Sequence, residues 1–385
     1  MRLFDTAQKQ YIDFTPTGVA SIYTCGITPY DSAHLGHILT FMTYDLLQRR
    51  LEDTGLEVRL VRNITDVDEP IYKKAAELGV DYRDLAAQET ELFQKVLRQL
   101  NLRPAYAEPK ASEYIGEMAA AVKTLVDNNY GYKLDEDIYF DTTKLASFGS
   151  FSGFSDRLLH NFMAVRGGDP MRLGKRSPLD FLLWRGISDL NDPAAWDSVI
   201  GRGRPGWHIE CTVMAEANLG TPFDLHGGGD DLIFPHHECE IAQSIGLGQA
   251  QMARHWMHIA PLLYAGEKMS KSLGNLVFAK DLLTTYEPAV IRLALMRYHY
   301  RTGGEWQPEF LDHADELWTR LQIAGSICSP VSAQSLLNEL QIALDDDLDT
   351  HRIIHALEEF AAHNDGPIRD CDVFSQAMRL LGLIA

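Results

Sequence analysis

The chain lacks any long apolar run. No stretch approaches the roughly 18 apolar residues that a membrane span requires, and the N-terminal segment MRLFDTAQKQYIDF contains no apolar stretch of signal-peptide length. Internal repeats and low-complexity tracts are also missing. We therefore expect a cytoplasmic protein that has no membrane partner and no repeat architecture.

Cysteine is scarce, and basic residues are outnumbered. The 385 residues include five scattered cysteines, which without an export signal favours free or metal-bound thiols over a disulfide framework. Lys and Arg number 35 against 54 Asp and Glu, a net charge of -19. That balance argues against a duplex-binding protein, which usually needs a basic face, although a local basic patch can sit on an acidic protein.

What is present is an ordinary globular composition, with 45% hydrophobic and 23% charged residues. Residues 20–25 have the pattern of a short strand, a Gly-containing loop follows, and residues 34–55 show helical spacing of leucine, isoleucine and methionine. Residues 56–68 alternate like a strand. Strand, helix and strand in this order predict a parallel sheet unit.

The rest of the chain is predicted to contain both helices and strands. Residues 69–127 are predicted mostly helical, and residues 130–200 are mixed and resemble an insertion. Residues 203–220 are predicted to run from a loop into a helix, and FDLHGGG, residues 223–229, from a strand into a turn. Residues 255–266 are a strand candidate, and the chain is predicted helical from Ala279 onward, with Pro288 at a helix start.

The tetrapeptide HLGH, His34 to His37, lies at the predicted junction between the first strand and the first helix. Unpaired backbone N–H groups and the helix dipole favour an anion there. Gly36 lets a flat group approach the backbone, and two histidines three positions apart can donate to phosphate oxygens. Taken alone, the tetrapeptide is equally well explained as a pair of surface histidines.

The pentapeptide KMSKS, residues 268–272, is a loop with two lysines that can neutralise charge on a pyrophosphate leaving group. Alone it would be a solvated basic loop. HLGH on the first helix together with KMSKS after a late strand resembles the class I aminoacyl-tRNA synthetases. The resemblance implies an α/β, Rossmann-like catalytic domain that binds ATP, with Mg²⁺ expected beside it, and activates an amino acid as its adenylate.

Metal-type ligands come from separate regions of the chain: Cys25, Cys211, His236 and Glu240. His236 and Glu240 stand four apart and would share one helix face. Thiolate, imidazole and carboxylate all suit zinc. From the residues alone His237 or Cys239 would serve as well, and a single cysteine is more often a small buried hydrophobe.

Five segments together resemble the cysteine-activating branch of class I: CGITPYD with HLGH, VRNITDVDEP, GRPGWHIEC, HGGGDDLIFPHHE and KMSKSLGN. The branch implies one zinc ion per chain that holds the thiolate of the substrate L-cysteine. The ligands it implies are Cys25, Cys211 and His236, with Glu240 as an uncertain fourth. Serine differs from cysteine by one atom, which a shaped pocket rejects poorly, whereas zinc binds thiolate far better than hydroxyl.

The resemblance also implies binding residues by position. For the triphosphate these are His34, His37, Lys268 and Lys271. For the cysteinyl-adenylate they are Cys25, Gly26, Ile27, Thr28, Thr40, Asn63, Ile64, Thr65, Trp207, Gly229, Asp230, Asp231 and Leu262. Asp231 suits ribose hydroxyls, because a carboxylate can accept from two of them; the plainer explanation is an aspartate that stabilises a turn.

Two enzyme families share these motifs: cysteinyl-tRNA synthetase, and the cysteine ligase of mycothiol biosynthesis, which joins cysteine to the amine of glucosaminyl-inositol. Four features favour the ligase. The loop has CGITPYD where the synthetase usually has CGPTVYD, and Pro70 follows DVDE where lysine is usual. Residues 165–185 resemble the ligase's RGGDP segment, with Val165 in place of its usual glutamate. The length after KMSKS leaves little room for an anticodon-binding domain.

One feature, Glu240, favours the synthetase. Glu240 matches its fourth zinc ligand, and ALDDDLDT at residues 343–350 resembles part of its helical region, although a solvated acidic helix start explains that run. We expect a monomer that uses the sugar acceptor rather than tRNA. A non-catalytic adenylate-binding paralogue is disfavoured, because both histidines of HLGH and both lysines of KMSKS are present.

The expected organisation is a catalytic domain over residues 1–110 and 201–280, interrupted by an insertion over 111–200. An α-helical bundle domain would follow over 281–385. The motifs that carry phosphate and metal chemistry then all fall within the catalytic domain.

Overall fold

The structure is a computed structural model, and it describes residues 1–269, 274–362 and 372–385. The strands are β1 (Arg2–Asp5), β2 (Gln10–Asp13), β3 (Val19–Ile27), β4 (Glu57–Ile64), β5 (Gly131–Leu134), β6 (Asp137–Phe140), β7 (Phe181–Gly186), β8 (Gly203–Pro205), β9 (Phe223–Gly229), β10 (Ala253–Ile259), β11 (Leu262–Tyr264), β12 (Glu267–Lys268) and β13 (Gly304–Glu305). The helices are α1 (Leu35–Asp53), α2 (Glu69–Leu78), α3 (Tyr82–Gln99), α4 (Ile115–Asp127), α5 (Asp156–Val165), α6 (Trp207–Leu219), α7 (Glu238–Gly246), α8 (Ala279–Leu282), α9 (Pro288–Leu295), α10 (Glu309–Ser326), α11 (Pro330–Asp345), α12 (Thr350–Ala362) and α13 (Asp372–Leu380).

The centre of the fold is a four-stranded parallel sheet in the order β10-β9-β3-β4. Helix α1 connects β3 to β4, so the predicted strand–helix–strand unit is confirmed. The chain runs outward from β3 to β4 and later returns to β9 on the other side of β3. In open α/β sheets, ligands bind at such a switch point, outside the carboxyl ends of the strands.

Helix α1 is buried on more than one side, since 13 of its 19 residues are buried. Leu35, Ile38, Met42 and Leu46 belong to the main hydrophobic core, and the helix lies between the central sheet and helices α11 and α13. The helix ends at Asp53, and Gly55 then takes a positive φ of 88° that favours glycine. This packing fixes the N-terminus of α1 beside the carboxyl end of β3.

Residues 100–114 depart from the mostly helical prediction for 69–127. Residues 105–110 are extended beside β4, where the carbonyls of Ala107 and Pro109 accept from Arg62 and Ile64 at 3.1 and 2.8 Å. A helix is disfavoured here because Pro104 and Pro109 lack an N–H donor. The prediction that 69–127 is mostly helical is confirmed by α2, α3 and α4, and the extended segment between α3 and α4 covers an otherwise open sheet edge.

A second, antiparallel sheet in the order β5-β6-β7-β8 has its first three strands in the range predicted as an insertion. Its last strand, β8, leads directly into α6 through Gly206, and so returns the chain to the central sheet. Helix α4 shares one hydrophobic core with α6, since Met118, Val122 and Met214 belong to the same cluster. The predicted domain boundaries stay predictions.

Of the C-terminal helices, α11 and α13 pack against α1, and α9 is joined to it by a buried ion pair. Arg292 on α9 is fully buried, and donates to the Asp45 carboxylate at 2.6 Å and to the Leu381 carbonyl at 2.7 Å. This pairing joins the helical region to the catalytic part, as expected for an α/β domain followed by helices. Within the described ranges, every helix is too short or too polar to cross a lipid bilayer.

Candidate active site

A cleft of about 550 Å³ opens at the carboxyl ends of β3, β9 and β10, beside the N-terminus of α1. The residues predicted for the triphosphate and adenylate that border it are Cys25, Gly26, Ile27, Thr28, His34, His37, Thr40, Trp207, Gly229, Asp230, Asp231, Leu262 and Lys268. Segments separated by more than 200 residues in sequence therefore meet in one cavity. Lys271 lies outside the described residues.

His34 caps helix α1. Its Nδ1 accepts from the Gly36 N–H at 3.1 Å, and its ring stacks on that of His37 with centroids 3.8 Å apart. An imidazole that accepts at Nδ1 carries its proton on Nε2 when neutral. The two rings and the positive end of the helix dipole thus present a site that favours an anion.

Two glycines bring the backbone close to its neighbours. A Cβ on Gly36 would lie 2.9 Å from Cε1 of His34, and a Cβ on Gly26 would lie 1.6 Å from the Asn63 carbonyl oxygen. Any larger residue would displace the His34 ring or separate β3 from β4. Both positions need glycine for close approach rather than for an unusual φ.

Lys268 and Asp231 form an ion pair at the cleft, with Nζ 2.9 Å from Oδ2. Both side chains are about half exposed. Burial raises the pKa of Asp231, but the Lys268 ammonium outweighs this, and the net pKa is lowered. A charged carboxylate and a charged amine therefore face each other where the triphosphate and ribose roles were predicted.

Asn63, Ile64 and Thr65 were predicted to line the adenylate pocket, but they lie behind its wall. Asn63 Oδ1 accepts from the Gly26 N–H at 2.8 Å, and its Nδ2 donates to the Thr65 hydroxyl at 3.0 Å. The Thr65 N–H in turn donates to the Ile27 carbonyl at 2.9 Å. These residues hold the loop after β3 in place, which is a supporting position rather than a bordering one.

Beneath the cleft lies a buried group of metal-type ligands. Cys25, Cys211, His236 and Glu240 place one ligand atom each within 4.8 Å of one another. The Cys25 and Cys211 sulfurs are 3.8 Å apart, and His236 Nε2 is 3.9 Å from the Glu240 carboxylate. Four ligands around a tetrahedral zinc stand about 3.3–3.8 Å apart, given bonds of about 2.0–2.3 Å.

A second set shares two of these residues. Cys25, His226, His237 and Glu240 also lie within 4.8 Å of one another. His237 Nε2 is 3.3 Å from the Cys25 sulfur, and His226 Nε2 is 3.2 Å from the Glu240 carboxylate. Cys239 belongs to neither set and is buried in the hydrophobic core. The sequence left His237 open as an alternative metal ligand to His236. It did not identify His226 as a candidate ligand.

Both candidate histidines are oriented by a further histidine. His236 Nδ1 is 3.0 Å from His208 Nδ1, and His237 Nδ1 is 2.7 Å from His258 Nε2. Partners of this kind fix the tautomer and ring direction of a metal ligand. A π-helical turn over Ile233–His237, broken at Phe234, precedes α7 and sets the two rings side by side.

Two ligand atoms have no hydrogen-bond partner within the described part of the chain. They are His236 Nε2 and one oxygen of Glu240, both buried. Burial raises the pKa of the Glu240 carboxyl and, together with Cys211, that of the Cys25 thiol. Buried acceptors without a donor are costly, and a bound cation would satisfy them.

The cleft and the ligand group meet at Cys25 and Trp207. Cys25 borders the cleft and belongs to the group. The Trp207 ring also borders the cleft, and it stacks on His236 with centroids 4.3 Å apart. A molecule in the cleft can therefore reach the ligand group on the Cys25 side, while Trp207 covers His236.

Arg166 is a contributor that sequence reasoning missed. It caps the end of α5 in the segment VRGGDP and donates to the backbone carbonyls of Asp231 and Phe234. It thereby ties the antiparallel part of the chain to the loop that carries Asp231. An arginine that follows a helix gives no signal in sequence for a contact made 65 residues later.

A family profile described as "tRNA synthetases class I (C) catalytic domain" matches residues 12–316. A relative from Thermobispora bispora is 40% identical over 363 residues, which cover 94% of this chain and 90% of the relative. One from Tsukamurella paurometabola is 44% identical over 370 residues, covering 94% and 88%. Both are named L-cysteine:1D-myo-inositol 2-amino-2-deoxy-alpha-D-glucopyranoside ligase. This chain belongs to that ligase family.

Two solved synthetase structures share the fold of this chain. A methionyl-tRNA synthetase of Mycobacterium tuberculosis in complex with methionyl-adenylate superposes with a TM-score of 0.63 at 17% identity, over 89% of this chain and 82% of that one. The leucyl enzyme of Agrobacterium radiobacter, in a ternary complex, gives 0.61 at 10% identity, over 96% and 84%. The predicted class I synthetase fold and the prediction of an enzyme are confirmed.

Proposed function

We propose that this ligase joins L-cysteine to the amine of glucosaminyl-inositol, through a cysteinyl-adenylate, in mycothiol biosynthesis. One observation carries the proposal: Cys25 belongs to the candidate metal group and borders the same cleft as His34 and Lys268. A thiol-binding centre and phosphate-binding groups are thus within reach of one small substrate. The acceptor is proposed from the names of the two relatives, which are called ligases of L-cysteine and the aminoglucosyl-inositol.

In the first step the triphosphate of ATP would lie against the N-terminus of α1. His34 and His37 donate to its oxygens, and Lys268 leaves Asp231 to neutralise the charge that grows on pyrophosphate. The carboxylate of cysteine attacks the α-phosphate, and the bond to pyrophosphate breaks. Asp231, released from the lysine, becomes available to the ribose hydroxyls.

The residues present fit a zinc ion. Cys25, Cys211 and His236, with Glu240, offer two thiolates, an imidazole and a carboxylate at suitable separations, and the unpartnered His236 Nε2 is the observation that favours this set. With Cys25, Cys211 and His236 as the three firm ligands, zinc would have a position left for substrate, and that position would prefer the thiolate of cysteine to the hydroxyl of serine. Trp207 packs over His236 and keeps that side of the group closed.

In the second step the acceptor's amine attacks the acyl carbon of the adenylate. A C–N bond forms, the acyl C–O bond to AMP breaks, and the nitrogen loses a proton as the amide forms. The loop from Cys25 to Thr28, held by Asn63, fixes the adenylate for this attack. A fixed geometry of this kind accounts for much of the rate of acyl transfer.

The test is cysteine-dependent exchange of pyrophosphate into ATP, with serine in parallel, before and after treatment with a chelator. The proposal expects exchange with cysteine only, its loss on zinc removal and its return when zinc is restored. Equal exchange with serine would contradict thiol selection by the metal. Exchange that survives complete zinc removal would contradict the metal's role.

Charging of tRNA is the second candidate, because Glu240 lies in the ligand group, where the resemblance gave the synthetase a fourth ligand. Sequence identity of 40% and 44% to proteins named as the ligase is stronger support than this one residue. A monomeric state and a cytoplasmic location remain predictions from the sequence.

A further inference from the structure

The cleft lysine, Lys268, lies at the end of a very short hairpin. Strand β12 pairs with β11 over two residues, with Lys268 beside Leu263 and Glu267 beside Tyr264. The side chain of Lys268 is about half exposed, so packing does little to fix its amine. The next residue, Met269, is buried in the main hydrophobic core and holds the chain on one side. The position of the Lys268 backbone must otherwise be set by contacts from outside the hairpin.

The side chain of Asn275 makes such contacts. Its Nδ2 lies 2.9 Å from the carbonyl oxygen of Tyr264, and 3.4 Å from those of Glu267 and Lys268. The two N–H groups of the amide can serve three carbonyls when one donates to Tyr264 and the other is shared. Because all three neighbours are acceptors, the amide must turn its nitrogen toward them. Asn275 thus joins both strands of the hairpin at the end that carries Lys268.

The segment that carries Asn275 is itself tied to the first helix. Two residues further on, the carbonyl of Val277 accepts from the Leu35 N–H at 2.8 Å. Phe278 then forms an antiparallel bridge with His34, the residue that caps α1. The backbone from Asn275 to Phe278 therefore takes its position from the same helix start as the two cleft histidines.

The turn at the other end of the hairpin has a separate support. The Gly266 N–H lies 3.2 Å from each carboxylate oxygen of Glu305. Strand β13, which contains Glu305, pairs with β11, and the Tyr298 hydroxyl donates to the Glu305 carbonyl at 2.8 Å. Loss of the Asn275 amide would therefore leave the hairpin attached at its turn and release only the end that carries Lys268.

We propose that Asn275 is a positioning residue for Lys268, and that its amide fixes the lysine backbone at the separation from His34 and His37 at which one triphosphate contacts all three side chains. The inference rests on the proposed function, because it takes Lys268 to act on phosphate. Among the described residues, Lys268 and Leu276 border the cleft and Asn275 does not. Asn275 therefore acts through the lysine and not on the substrate.

The test is a double-mutant cycle of Asn275→Ala with Lys268→Met. For Asn275→Ala alone we expect kcat for pyrophosphate exchange to fall about 5- to 20-fold, because a displaced ammonium stabilises the leaving group less. The KM for cysteine should stay within about twofold of wild type. In the Lys268→Met background the same substitution should change kcat by less than about twofold, since no ammonium is left to position. A merely structural role would lower kcat in both backgrounds.

Asn128→Ala is the matched control. Asn128 Nδ2 donates to the Gly246 carbonyl at 2.9 Å, as Asn275 does to Tyr264, but Asn128 lies at the end of α4 and does not border the cleft. It should keep full exchange. A second variant, Asn275→Asp, keeps the shape of the side chain but places an oxygen against the three carbonyls. Its kcat should fall at least as far as that of Asn275→Ala, and melting curves report that each variant is folded.

Three outcomes would overturn the inference. They are an unchanged kcat in Asn275→Ala, an equal loss of kcat from that substitution with and without Lys268, and full activity in Asn275→Asp. Unchanged exchange in the single variant Lys268→Met would instead contradict the phosphate role that the proposed function gives to the lysine.

Discussion

The Lys268 ammonium lies 2.9 Å from the Asp231 carboxylate, and both side chains border the cleft. The two charges satisfy each other. Because the pair is about half exposed, it is worth little to stability and can separate at small cost. Under the proposed mechanism, this pairing keeps the lysine at the site where it would neutralise phosphate charge.

Replacing Lys268 by methionine should therefore impair chemistry more than folding. We expect kcat for pyrophosphate exchange to fall on the order of 100-fold, with little change in the KM for cysteine. Lys123→Met is the matched control, since Lys123 forms an exposed ion pair with Asp127 on α4, away from the cleft. A similar loss of kcat in both variants would contradict the assignment.

Gly36→Ala should separate activity from stability. A Cβ would press on the His34 ring at 2.9 Å, and we expect exchange to fall on the order of 10- to 100-fold. Helix propensity alone favours alanine by about 1 kcal/mol, so the melting temperature should not drop. Gly116→Ala, at the same place in α4 with open space around its Cβ, should keep full activity. A normal rate for Gly36→Ala would count against the role of His34.

The two overlapping ligand sets can be told apart by zinc content. If Cys25, Cys211, His236 and Glu240 hold the ion, His236→Ala should lower zinc affinity at least tenfold, and His237→Ala should lower it less. Cys239→Ala serves as the control, because that thiol is buried outside both sets. Zinc retained in His236→Ala but lost in His237→Ala would select the other set.

Asp68, which caps the N-terminus of α2, should make stability depend on pH. Burial raises its pKa from 3.8 to about 6, so the folded chain holds its proton more tightly than the unfolded chain does. The stability gained from this is fully present below about pH 4 and is lost as the pH rises through about 6. Wild type should lose more melting temperature than Asp68→Asn between pH 4 and pH 7. Parallel melting curves for the two proteins would show that the carboxyl does not titrate in this window.

The sequence predicted the parts of the fold that depend on local periodicity. The strand–helix–strand unit from Val19 to Ile64 and the helices after Ala279 follow from hydrophobic spacing, which packing then reinforces. The extended segment at residues 105–110 was missed, because its order comes from pairing with β4. Strand pairing over such distances leaves no periodic signal in the segment itself.

In the site, too, local motifs could be predicted and features set by long-range strand pairing could not. HLGH and KMSKS are local motifs, and resemblance was enough to find them. His226 was missed because its place depends on register: it pairs with Tyr23 on β3, which puts it on the same side of the sheet as Cys25.

The central claim, that cysteine is transferred to a sugar amine, is tested most directly by offering the activated enzyme both acceptors. Radiolabelled L-cysteine and ATP are supplied with zinc-loaded protein, and either glucosaminyl-inositol or tRNA is added in parallel. We predict a cysteinyl conjugate of the sugar, with release of one AMP per conjugate, and no label on tRNA. Labelled tRNA with no sugar conjugate would contradict the account.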